Sequence, residues 1–182
     1  MTTSAFCVAA CAATAACSYP ALPAIPTACV APYTSVQYAS AQDGSTLHGC
    51  YRLETKPTPW LDAEQDCEGD APDAHLVVID SVDEHYAIHT FSMSPRTNDV
   101  WIGYTDLALD GTMRWPAPGG LEPERPPNPN LCFFGMQVNP AGATCVTQMT
   151  VNTCGDWFYR SCTELHAYVC ERDGSPANST AY

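Results

Sequence analysis

The alternation of apolar and polar positions changes character near residue 98. Before it, two stretches repeat their apolar residues at helical spacing. In "TPWLDAEQDC" Trp60, Ala63 and Cys67 fall at i, i+3 and i+7, one buried stripe. Thr58 can cap this helix, Pro59 suits its first position, and acidic residues follow in the early turns. In "SVDEHYAIHTF" Ser81 and Glu84 form a capping box, which predicts a second helix. Between them "HLVVID" reads as a short strand. After Asn98 the pattern is that of strands: "VWIGYTD", "TMRW", "CVTQMTV" and "HAYVCE". Residues 116–144 separate the second of these from the third. They are rich in Pro, Gly and Asn and carry no periodicity. A connection that long inside a compact domain is functional or disordered, and Cys132 argues that it is pinned. Helices early, strands late and one long cross-connection predict an α+β domain.

A chain of 182 residues suits one such domain. Residues 18–33, "SYPALPAIPTACVAPY", hold four prolines and no charge, the composition of a semi-rigid tether. The globular domain is expected over 34–172, with 173–182 as a flexible tail. Residues 1–17 are small and apolar without a basic n-region. They read as the remnant of an export signal, or as the end of a bacterial lipoprotein signal with Cys17 or Cys11 as the lipidated residue. "VAAC" at Cys11 fits the local pattern better; Cys17 leaves an even set of eight cysteines after it. An ordinary cleaved or disordered N-terminus is the plain alternative. No apolar run is long enough to span a bilayer.

Charge narrows the partners. The 20 acidic against 7 basic residues give a formal charge of −13, which repels phosphate backbones and argues against nucleic acid. A solvated surface accounts for this acidity, although acidic and amide side chains can also supply oxygen ligands to a hard cation. The eleven cysteines include no Cys-x-x-Cys pair and no Cys/His zinc spacing. They point instead to disulfides and an oxidising compartment.

Candidates for catalysis are sparse. His85 and His89 stand four apart on the second predicted helix, a spacing that can hold a metal, but no Glu follows His85 and no third ligand is evident. An exposed or hydrogen-bonded pair is the simpler reading. There is no Gly-x-Ser-x-Gly elbow. The carboxylates crowded into residues 62–84 need only solvent. Asn178 opens a glycosylation sequon.

Taken in order, several segments resemble the C-type lectin-like domain. They are "GCYRLE" from Gly49, "W..A...C" at Trp60, Ala63 and Cys67, "HLVVIDSVDE", "WIGYTD" from Trp101, "GTMRW" from Gly111, "CV" at Cys145, a Trp five residues before Cys162, and "CE" at Cys170 and Glu171. The resemblance spans about two thirds of the chain. It implies bridges from Cys67 to Cys170 and from Cys145 to Cys162. Cys50 matches the second cysteine of an N-terminal hairpin in the long form of the family, with Cys29 as its partner at a longer spacing. Cys132 and Cys154 remain as a pair that would staple the long loop.

In sugar-binding members of that family a calcium ion takes ligands from a Glu-Pro-Asn type triplet in the long loop and from Trp-Asn-Asp on the strand near the end. Here the strand reads Trp157, Phe158, Tyr159, so the Asn and Asp positions carry Phe and Tyr. Asp156, one residue before the Trp, should face the other side of the strand. In the loop, "EPE" (Glu122 to Glu124) and "NPN" (Asn128 to Asn130) have the X-Pro-X shape, but neither is the mannose-type triplet. Proline turns in a ligand-free loop account for both.

The expectation is therefore an exported, non-catalytic binding module of this fold. Its long-loop face would recognise a protein or glycan through Glu122, Glu124, Asn128, Asn130, Phe158 and Tyr159, with Phe133 and Phe134 as further aromatic anchors. No cofactor is expected, and calcium binding is weak at most. The alternative is a calcium-dependent lectin with a site rebuilt from Glu122, Glu124, Asn128 or Asn130. From other classes come a structural surface or envelope protein and a hydrolase using the carboxylates or the His pair.

Overall fold

The computed structural model describes residues 29–93, 97–117, 120–122, 142–151 and 154–173. Cys11, Cys17, Glu124, Asn128, Asn130, Cys132, Phe133, Phe134 and Asn178 lie outside these residues.

The fold opens with a hairpin of β1 (Thr34–Ala39) and β2 (Thr46–Thr58), paired antiparallel from Thr34↔Tyr51 to Ala39↔Thr46. Helix α1 (Trp60–Asp70) and the short β3 (Ala74–Leu76) follow, then α2 (Val82–Ser92) and β4 (Asp99–Thr105). The two-residue strands β5 (Pro116–Ala117) and β6 (Gly120–Leu121) pair with each other. Beyond the long connection come β7 (Thr144–Met149), β8 (Trp157–Ser161) and β9 (His166–Arg172). The main sheet runs β1-β2-β9-β4-β7-β8, with β3 also paired to β9. The last strand therefore lies inside the sheet, antiparallel to β2 and parallel to β4. An opening hairpin, two helices and then mainly antiparallel strands make this an α+β fold.

Each helix buries one stripe against the sheet. On α1 this is Trp60, Ala63, Glu64 and Cys67. Two indoles lock α1 and the end of β2 to β4: Trp60 Nε1 donates to the Ile102 carbonyl and Trp101 Nε1 to that of Thr58, both at 2.8 Å. Pro59 caps α1 from extended backbone instead of filling its first turn, because Thr58 is already the last residue of β2. On α2 Ser81 Oγ accepts from the Glu84 amide as the capping box predicts, and the Glu84 carboxylate reaches back to the Asp80 amide. A 2.9 Å bond from the Ala41 amide to Asp83 ties the hairpin turn to the start of α2.

Two expected strands are corrected. "HLVVID" is a strand only to Leu76, and Val77 continues by single bonds to Val169 and Gly103. "TMRW" forms one bridge, Arg114 to Thr105, and no strand. Side chains hold that segment instead. Asp106 accepts from the Asp110 and Gly111 amides, and Asp110 takes both ends of the Arg114 guanidinium at 2.9 and 2.6 Å.

Candidate ligand-binding face

The long connection leaves and returns over an aromatic base. Trp115, at its start, meets Trp157 edge-on at 5.8 Å and tilts against Tyr104 at 4.7 Å. All three rings are buried. The Glu122 amide returns to the Trp115 carbonyl, which places Glu122, partly buried, beside that base. At the far end the Asp106 amide donates to Thr144, and Thr144 opens β7.

Disulfides brace the same region. Cys145 on β7 is bonded to Cys162 just past β8, with Cα atoms 5.0 Å apart. Cys67 on α1 is bonded to Cys170 on β9, and Cys29 to Cys50, each with Cα atoms 5.5 Å apart. Cys154 is also disulfide-bonded, and a direct bridge to Cys162 is excluded because Cys162 is taken.

Strand β8 separates the two aromatic candidates. Trp157 and Tyr159 point to one face, opposite Gln148 and Val146, and Tyr159 packs against the core. Phe158 points to the other face, half-buried, with the Arg160 guanidinium 5.4 Å from its ring centre. Thus they do not form one exposed aromatic patch. They also do not fit the calcium site of sugar-binding relatives at these two positions: Phe158 offers no oxygen, and burial raises the pKa of the Tyr159 phenol. Among the described residues no group of three His, Cys, Asp or Glu is arranged to hold a metal ion.

The histidine pair is buried rather than exposed, His85 at 1% and His89 at 6%. His85 Nε2 lies 2.8 Å from the Cys154 carbonyl oxygen, and its Nδ1 lies 3.1 Å from the Gln148 amide nitrogen. Both nitrogens are thus engaged, so His85 presents neither to a metal or a substrate.

Several carboxylates also defy the solvent reading. Glu64 is buried, accepts a 2.8 Å bond from the Leu76 amide, and is pushed up to about 7 by burial. Glu84 and Glu171 are buried near each other, and burial raises both above the usual carboxylate range. Burial works against protonation of His75, but Asp173 at 3.1 Å and the charge of Glu171 outweigh it and raise that imidazole to about 9. On the face shared with Phe158, Asp99 bonds His166 at 2.7 Å and Arg160 at 3.2 Å. Burial opposes its ionisation; those two partners prevail and hold its carboxyl below the ordinary range. These groups serve the fold, and sequence spacing gave no signal for them beyond the capping role of Glu84.

Residues 56–172 match the family described as lectin C-type domain, and the chain belongs to that family. It is 30% identical over 125 residues to human C-type lectin domain family 17, member A, covering 68% of this chain and 29% of that protein. It therefore spans well under half of that relative's length. Against the snaclec bothrojaracin subunit beta of Bothrops jararaca it is 28% identical over 131 residues, covering 71% of this chain and 80% of the other. Among solved structures, the C-type carbohydrate-recognition domain of cow CD23 superposes with a TM-score of 0.52 at 26% identity. That match covers 68% of this chain and 87% of the other. At the level of the fold, then, the chain is a binding domain of the C-type lectin type. Among the described residues no helix is long and apolar enough to cross a membrane.

Proposed function

We propose that the chain is an exported, non-catalytic binding module that recognises a protein or glycan through the face carrying the long connection. The observation that carries this reading is the aromatic base at the described ends of the 116–144 connection. Three packed aromatic rings and the Cys145–Cys162 bridge fix the two points where the connection leaves and returns. Ligand residues on a braced loop lose less freedom on binding, which favours affinity. Glu122 is held at the root of that loop, and Glu124, Asn128 and Asn130 are its further candidate contacts. Phe158 is a further candidate contact on edge strand β8, on the opposite face of the strand from Trp157. Residues 34–172 form the module, 18–33 a tether whose end is stapled to it by Cys29–Cys50 and which leads back to an export or lipoprotein signal in 1–17, and 173–182 a tail.

Calcium does not organise this face in the usual way, because two of the family's strand ligands are replaced by Phe158 and Tyr159. The test is a glycan array, with a parallel screen of extracellular protein partners, run with and without chelator on disulfide-intact protein. Binding that survives chelator and weakens at least tenfold with Glu122→Ala or Asn128→Ala supports the reading. Binding abolished by chelator supports the rebuilt calcium site. No ligand of either kind overturns the proposal in favour of a structural surface role.

A further inference from the structure

A groove of about 600 Å³ runs between β1 and α2. Helix α2 carries two stripes. Glu84, His85, Ile88, His89 and Ser92 are buried in the core, while Tyr86, Ala87 and Phe91 line the groove. Across it, Val36 and Tyr38 of β1 share the face of the Tyr51 ring, because they pair with Gly49 and Leu47, two and four residues before it. These walls are covered only in part: Tyr86 is 44% exposed, and Val36, Tyr38 and Phe91 are half-buried. Strand β1 also ends the main sheet, so one side of its backbone meets no described strand. An apolar wall beside an open strand edge suits an extended peptide.

The chain just upstream of β1 has the pattern to fill it. Tyr19-Pro20-Ala21, Leu22-Pro23-Ala24 and Ile25-Pro26-Thr27 are three triplets, each a large apolar residue, a proline and a small residue. Proline fixes its own φ and biases the residue before it to extended backbone, so six of these nine residues favour polyproline II. That helix has three residues per turn, which puts Tyr19, Leu22 and Ile25 on one stripe. At about 3.1 Å per residue, Tyr19 to Ile25 spans about 19 Å. The six residues of β1 span about 17 Å. The path into the groove is also set. Cys29 is bonded to Cys50, and the Tyr33 amide donates to the Val30 carbonyl in a turn that sends the upstream chain back along β1. Cys50 faces away from Tyr51, so the chain must round the β1 edge. Residues 26–28 reach about 9 Å, enough to pass one strand. The segment carries no charge, so the formal charge of −13 does not repel it. Its attachment gives it an effective concentration on the order of millimolar at the groove, an advantage no free partner shares.

We propose that residues 19–25 dock in this groove as a polyproline II strap, seating Tyr19, Leu22 and Ile25 against Val36, Tyr38, Tyr86 and Phe91. Residues 18–28 lie outside the described residues. The strap covers the open edge of β1 and fixes where residue 18 leaves the domain. It goes beyond what the long-loop face binds, and its test needs no ligand. The full chain, isotope-labelled and with disulfides intact, is studied by NMR. The expected result is a set of nuclear Overhauser contacts from the Leu22 and Ile25 methyl groups to the Tyr86 and Phe91 rings, unchanged on roughly tenfold dilution. Elastase should cut after Ala21 and Ala24 at least about tenfold more slowly than in the free peptide 18–28. Tyr86→Asp should abolish the contacts and restore the free-peptide rate, with its fold verified by amide protection of the β4–β7 ladder. Leu22→Asp combined with Ile25→Asp should release the strap from the other side. The proposal is overturned if the contacts are absent and the segment is cut at the free-peptide rate. Contacts that survive Tyr86→Asp also overturn it. Contacts between labelled and unlabelled chains in a mixed sample would assign the groove to a second copy instead.

Discussion

The Tyr51 hydroxyl donates a 2.6 Å hydrogen bond to Oε1 of Glu84, joining the opening hairpin to α2 across 33 positions of sequence. It reaches because the Tyr51 ring lies over Gly49, where any Cβ would collide with it. The other oxygen of Glu84 is taken by the Asp80 amide. A wholly buried carboxylate is thus supplied with donors from two elements.

That relationship predicts the effect of two substitutions. Tyr51→Phe removes a donor from a buried carboxylate and should cost about 1.5–3 kcal/mol. Gly49→Ala leaves the hydroxyl in the sequence but displaces the ring, so it should cost about as much. Urea unfolding of the disulfide-intact protein measures both. A Gly49→Ala protein as stable as wild type would show that the ring can shift without losing Glu84.

The buried acids give a pH dependence with a definite sign. Glu64 has its folded pKa raised to about 7. Its contribution is fully present below the unfolded carboxylate range and is lost as pH rises through 7. His75 is raised to about 9, so its contribution is fully present below the unfolded imidazole value and is lost through pH 9. Glu64→Gln keeps an acceptor for the Leu76 amide and cannot ionise. Its stability relative to wild type should therefore improve between pH 5 and pH 8. Melting curves at the two pH values check this, and an unchanged difference would place the Glu64 titration elsewhere.

Loop length ranks the bridges. Cys67–Cys170 spans 103 positions and Cys145–Cys162 spans 17. Chain entropy assigns about 4–5 kcal/mol to the first and about 3 to the second. Replacing each pair by Ala in separate proteins and comparing denaturant midpoints should preserve that order.

For calcium, an affinity no better than the weak range of about 0.1 to 1 mM is expected. In about 2 mM calcium the stabilisation is then at most roughly 0.6–1.8 kcal/mol, and Tm should shift little against the same buffer with chelator. A rise of many degrees, abolished by Glu122→Ala with Glu124→Ala, would show that the loop rebuilds the site without β8.

Local chemistry was readable from the chain and distant chemistry was not. Ser81 and Glu84 stand three apart and announce their helix, and Trp60, Ala63 and Cys67 mark a buried stripe by spacing alone. "TMRW" has strand composition, yet the carboxylates of Asp106 and Asp110 capture its backbone and its arginine, and no periodicity reports that. The burial of Glu64 depends on an amide 12 residues away. The engagement of His85 depends on partners 63 and 69 residues away. Phe158 and Tyr159 were recognisable as replacements, but their opposite orientations follow from the pairing of β8 with β7.

The interior position of β9 also governs the order in which this molecule can be made. Residues 166–172 leave the ribosome after every other strand, yet they fill the gap between β2 and β4. Until they arrive, the β1–β2 hairpin and the β4–β7–β8 ladder are two unjoined halves with open edges, and Cys67 has no Cys170 to meet. Completion waits on contacts far apart in sequence, which makes folding slow relative to a fold built from local contacts. The bridge that ties α1 to β9 can therefore form only once β9 has joined the two halves, and an oxidant acting earlier finds Cys67 without its native partner.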